Sequence, residues 1–102
     1  MPDTSPLTDK KFASRVDWNL MRTFVDIVRA GGIGAAARQL NRQQPSISAA
    51  LKRLEDQVGA TLLHRSASGV EMTAAGRAMM ALCEDMLESA RMVPHQIAQA
   101  TK

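Results

Sequence analysis

From Asp17 onward, apolar residues return every three or four positions. Leu20, Met21, Phe24, Val25 and Val28 make one face at helical spacing, Asp17 is of the type that caps a helix start, and Gly31-Gly32 supplies the stop. Ile33, Ala36, Ala37 and Leu40 repeat the spacing over about two turns. The alanines there let a neighbouring helix come close, and Asn41 suits the left-handed residue that ends the segment. In the third stretch Ile47, Leu51, Leu54 and Val58 share a narrow arc. Pro45 fits the first helical position, which makes Gln44 the N-cap by position, and Gly59 closes the helix.

Beyond Gly59 the pattern changes. Thr61 to His64 and Val70 to Met72 are short apolar-rich runs around Ser, Ala, Ser and Gly, which predicts a small hairpin. Thr73 then caps a helix reaching Val93, on the order of 30 Å long, with Pro94 as its terminator. Met79, Cys83, Met86, Ala90 and Val93, with Leu82 beside them, follow the alternating steps of four and three of a helix that pairs along a seam. A domain this small has little core left to cover that stripe, so a second copy of the helix is the natural partner.

With 102 residues and 45% hydrophobic content, the chain has room for one small domain and an appendage. Residues 1–16, with Pro2, Pro6 and scattered polar positions, are expected to be a flexible extension, and residues 94–102 a frayed tail. Between them lie a domain over 17–72 and the long helix over 73–93. One cysteine, Cys83, excludes an intramolecular disulfide and leaves a zinc site short of thiolates, so the cytoplasm is the expected setting. No apolar run approaches the roughly 18 residues of a membrane span, and the opening MPDTSPLTDKKFASR has no hydrophobic segment for a signal peptide, so no membrane partner is expected. His64 and His95 stand apart without companions for a metal. No acid pair in a pocket setting and no nucleophile with a placed base is visible, and GGIG precedes a short helix with no strand before it. Neither an enzyme nor a cofactor is expected.

The net charge of +3 gains meaning from its placement. Between Arg38 and Arg65 there are five basic residues (Arg38, Arg42, Lys52, Arg53 and Arg65) against two acidic ones, whereas from Ser66 onward three basic residues meet four acidic ones. At about 100° per residue, the side of the third helix opposite Ile47 and Leu51 carries Pro45, Ala49, Lys52, Arg53 and Asp56, with Ser48 at one margin. Small residues lead and basic ones follow. That order suits a DNA duplex: a slim leading turn enters the major groove, and its free N–H groups and dipole favour phosphate. Gln44 can bond adenine bidentately, Ser46 and Ser48 can reach bases or phosphates, and Lys52 and Arg53 can neutralise the backbone. Helix, turn, helix and hairpin then read as a helix-turn-helix with a wing. On charge alone, Lys52, Arg53 and Glu55 equally suit an ordinary solvated face, Arg65 a turn, and Gln44 a cap.

Five ordered pieces carry a family resemblance: WNLMRTFVDIVRAGG, AAARQL, QPSIS, KRLEDQVGATLLHR and MTAAG. Residues Asp17 to Val93 resemble the N-terminal DNA-binding domain and linker helix of LysR-type transcriptional regulators. The resemblance implies a mainly α fold: a winged helix-turn-helix of three helices and a short β-hairpin wing, followed by a long C-terminal linker/dimerisation helix. It implies double-stranded DNA as partner, a homodimer through antiparallel linker helices, and RNA polymerase as a further partner. By position, Gln44, Pro45, Ser46, Ser48 and Ala49 are the groove-facing turn, and Arg65 reaches phosphate or the minor groove from the wing. The chain departs from the pattern at Gly34, where the family often has a Ser or Thr cap, and at Ala49, where many members carry Arg. It also ends where the family continues into a ligand-binding domain, so this segment is expected to bind no small molecule. Two other readings stay open: a winged-helix domain of another type, such as the molybdate-responsive regulators, and a helical protein-interaction module.

Overall fold

The computed structural model describes residues 9–102, with Asp9 described by its backbone alone. Among the described residues the order is α1 (Asp9–Arg15), α2 (Trp18–Ala30), α3 (Ile33–Gln39), α4 (Gln44–Val58), β1 (Leu63–Ser66), β2 (Gly69–Met72), α5 (Ala74–Arg91) and α6 (Val93–Ala100). This is the winged helix-turn-helix expected from the sequence, with the hairpin as wing and a long helix after it.

The apolar arcs of the sequence become the core. The Asp17 carboxylate accepts from the Asn19 N–H at 2.8 Å, starting α2, and Gly31 ends it in the left-handed region at φ 87°. Leu20, Met21, Phe24 and Val25 are buried as expected; Ile27 and Thr23 join them, while Val28 is only half-buried. Ile33, Ala36 and Ala37 from α3 and Ile47, Leu51 and Leu54 from α4 complete a three-helix centre, to which Leu62, Leu63 and Cys83 add. Full burial of such side chains is worth about 1.5–3 kcal/mol each. Asn41 takes φ 52°, the left-handed turn residue read from the sequence.

Several expectations give way to specific geometry. The N-cap of α4 is Gln43, not Gln44, and Pro45 stands one residue inside the helix. The first amides of a helix have no intrahelical acceptor, so proline loses nothing there. The hairpin sits two residues later than expected at its start, pairing Leu63 with Met72 through Ser66 with Gly69. Side chains engage the backbone of Thr61 and Leu62 just before the ladder. The Glu55 carboxylate accepts the Leu62 N–H at 2.7 Å, and the Thr73 hydroxyl donates to the Thr61 carbonyl at 2.6 Å. Of the extension expected over 1–16, residues 1–8 lie outside the described residues, and Asp9 to Arg15 is helical rather than irregular.

At the other end, Pro94 does not terminate the helical path. It stands in the first turn of α6, so the expected frayed tail is a helix from Val93 to Ala100 after a single break at Met92. Proline removes one hydrogen bond to the preceding turn but is tolerated in the first turn of a new helix. The expected pairing seam is also divided. Cys83 is 1% exposed in the chain's own core and Met79 is half-buried against it, because α5 packs on α2. Burial pushes the Cys83 thiol pKa up, and the neighbouring Glu84 charge adds to the effect. Leu82, Met86 and Val93 remain 60%, 40% and 54% exposed, and Ala90 is also exposed.

The helix-capping position expected at Gly34 belongs to Gly32, and Gly34 lies inside α3. A Cβ at Gly34 would meet only ordinary contacts, Arg38 Nη1 at 3.5 Å and Gln44 Oε1 at 3.6 Å, and its φ is not in the left-handed region. Gly34→Ala should therefore stabilise the domain by about 0.5–1 kcal/mol. Thermal denaturation should show the melting temperature rising by roughly 2–8 °C; a fall would mean that the first turn of α3 needs glycine.

Candidate nucleic-acid interface

The outward side of α4 begins with small and polar residues because its inward side takes every large apolar one. Gln44, Pro45, Ser46, Ala49, Lys52 and Arg53 are exposed, and Ser48 is half-buried at the margin. The turn from Leu40 to Gln43 brings the end of α3 against the start of α4: Arg42 N–H donates to the Ala37 carbonyl at 2.9 Å, and Asn41 supplies the left-handed step. Arg42 then folds over the leading turn, its Nη2 donating to Ser46 Oγ at 2.7 Å.

The wing closes on the same surface. Arg65, on β1, is exposed and donates from Nη2 to Ser48 Oγ at 3.1 Å, across seventeen residues of sequence. Gly69 makes this approach possible: at φ 124° it sits so near the Gly31 carbonyl that a Cβ would collide with it. The tip of the wing thus rests against the turn between α2 and α3, and Gln44 and Arg65 line one cleft with Gly32 and Gly34. On the other flank, Asp17 and Asn19 share a cleft with Arg42, Ser46, Ala49 and Arg53.

Lys52 is also engaged within the chain. Lys52 Nζ lies 3.0 Å from Asp56 Oδ1 one turn along, and that hydrogen bond, with the Asp56 charge behind it, raises the lysine pKa. Lys52 therefore stays cationic. Both side chains are exposed and the pair is screened by solvent, so the ammonium is readily shared with another anion. Among the described residues there is no cluster of three or more His, Cys, Asp or Glu that could hold a metal ion, and no helix is long and apolar enough to cross a membrane.

Gln44 and Arg65 share one cleft, Ser46, Ala49 and Arg53 another, and the Arg65 to Ser48 hydrogen bond joins the wing to α4, on which Pro45 and Lys52 are also exposed. The geometry also adds Arg42, which sequence reading counted only toward the charge; its spacing of four from Ser46 was the available signal. Arg38 joins Arg42, Gln43 and Gln44 along a further cleft. Glu55 departs from the solvated face suggested by charge alone. Its carboxylate receives the Leu62 and Leu63 N–H groups at 2.7 and 3.4 Å, tying the end of α4 to the start of the wing. Because the partners are backbone groups in the next element, nothing in the residue spacing marks this role.

Comparison with known proteins places this arrangement. The chain is 38% identical over 76 residues to the HTH-type transcriptional regulator TfdS of Cupriavidus pinatubonensis, an alignment covering 74% of this chain and 26% of that protein. It is 40% identical over 79 residues to the HTH-type transcriptional regulator AlsR of Bacillus subtilis, covering 78% and 24% respectively. The chain thus spans about a quarter of the length of these relatives. The structure superimposes on the DNA-binding domain of CbnR, crystallised in complex with DNA, with a TM-score of 0.78 and 32% identity, covering 85% of this chain and 100% of that one. The family model described as bacterial regulatory helix-turn-helix protein, lysR family, matches residues 18–77, and the chain belongs to that family.

Proposed function

We propose that this chain binds double-stranded DNA with sequence preference, as a homodimer, and so regulates transcription. The observation that carries the reading is the convergence of α4 and the wing on one face, joined by the Arg65 to Ser48 hydrogen bond. The relatives' names as transcriptional regulators and the DNA bound to the similar CbnR domain support it. On this reading the chain acts by binding rather than by catalysis.

In the major groove, Gln44, Pro45, Ser46, Ser48 and Ala49 form the leading turn, slim enough for close approach to base edges. Lys52, Arg53 and Arg42 meet phosphates, and Arg65 reaches the backbone or the minor groove from the wing. Ala49 contributes shape rather than hydrogen bonds. Leu82, Met86, Ala90 and Val93 form the stripe that pairs with a second copy, which makes the target dyad-related. RNA polymerase is the further partner through which a bound dimer would act on transcription.

Selection from a random duplex pool tests the central claim. The expected product is a partly palindromic site whose binding weakens steeply with salt; no retained duplex even at low salt would sink the reading. The pairing stripe has its own test. Replacing Leu82 and Met86 together with glutamate should leave monomers in sedimentation, since both side chains are exposed in the single chain; an unchanged dimer would place the interface elsewhere.

A further inference from the structure

Helix α1 lies outside the residues 18–77 that the family model matches, and none of its residues is in the core. Its sequence, DKKFASR, carries Lys10, Lys11 and Arg15, all exposed, while Phe12 is only half-buried. Seven residues fall short of the roughly 12–15 that hold a helix alone in water. The core does little to secure it.

The chain tethers it to the start of α2. Val16 is exposed, and Asp17, the cap of α2, lines the same cleft as Arg42, Ser46, Ala49 and Arg53. Arg15 is two residues from Asp17, a span of at most about 7 Å. The remaining helical residues back to Lys10 add about 1.5 Å each, which keeps Lys10 within roughly 15 Å of that cleft. A stretch of duplex that long carries on the order of nine phosphate charges.

We propose that α1 is a DNA-binding arm, with Lys10, Lys11 and Arg15 contacting phosphates that flank the base pairs met by α4. This rests on the reading that α4 meets a duplex. The arm adds affinity without sequence preference, because phosphate contacts carry no base identity, and the backbone charge it meets holds a helix to which the core gives little support.

The test compares the 102-residue chain with K10Q/K11Q/R15Q and with K10E/K11E/R15E on the selected duplex over a salt series. Loss of three phosphate contacts from each protomer of the pair should make the slope of log affinity against log salt shallower by roughly 5.4 units, with the same preferred sequence and the same melting temperature, since none of the three side chains is in the core. Charge reversal should weaken binding further than neutralisation. Retained binding with an unchanged slope in both variants overturns the arm alone; no duplex binding by the unaltered chain overturns the arm and the function proposed above together.

Discussion

Arg65→Glu should weaken duplex binding by roughly 10 to 100-fold at moderate salt and leave the fold intact. The arginine is exposed, and the hydrogen bond described for it goes to the Ser48 hydroxyl, so its loss removes nothing from the core. A charge-assisted hydrogen bond contributes about 1.5–3 kcal/mol, and each 1.4 kcal/mol is about tenfold in affinity. The glutamate adds repulsion from the same phosphate. Fluorescence anisotropy over a salt series should show the log–log slope shallower by about one unit for each of the two wings. Arg65→Lys keeps the charge but loses the planar fork that reaches Ser48, and should fall between the two. Affinity of the glutamate variant within twofold of the original would mean that the wing does not touch the duplex.

Gly76→Ala should lower stability by about 3 kcal/mol, at the upper end of overpacking costs, and the melting temperature by roughly 10–20 °C. Gly76 is buried in the first turn of α5, where its N–H donates to Thr73 Oγ1 at 2.9 Å. A Cβ there would collide with the Leu62 carbonyl and press on Met72 Cβ at 3.4 Å. That carbonyl already accepts from the Thr73 N–H at 3.0 Å and the Thr73 hydroxyl at 3.2 Å, so no shift relieves the collision without loosening the cap. Against a total stability of about 5–15 kcal/mol, the change is severe. The same substitution at Gly34 is expected to act in the opposite direction, because there the added methyl finds room. Thermal denaturation of both variants checks the pair, and a Gly76→Ala cost below about 1 kcal/mol would show a joint that yields.

Helix positions were legible because one apolar arc per helix is a strong periodic signal, and Ile47, Leu51 and Leu54 are buried where that signal put them. Periodicity says less about which neighbour covers an arc. Cys83 and Leu82 are adjacent in sequence, yet one is sealed in the chain's own core and the other is open, because α5 presents different sides to α2 and to solvent. The hairpin was found but its start was misplaced. Its boundary depends on Glu55 and Thr73 capturing backbone groups of Thr61 and Leu62, contacts that leave no mark on local pattern. The exposed residues of α4 could be read from the outward face, whereas the Arg42 to Ser46 and Arg65 to Ser48 pairs needed three-dimensional placement. Polar composition misled at the first end and Pro94 at the second, where Asp9 to Arg15 and Val93 to Ala100 are helical.

The two residues Thr61 and Leu62 receive Glu55 from the last turn of α4 and Thr73, the N-cap of α5. They rivet the end of α4 to the start of α5. In a two-fold pair, rotation of the α5 shafts against each other would swing both leading turns of α4 by the same angle, with the wing carried along. The separation of the two grooves that such a pair can grip is then geared to the crossing angle of the shafts.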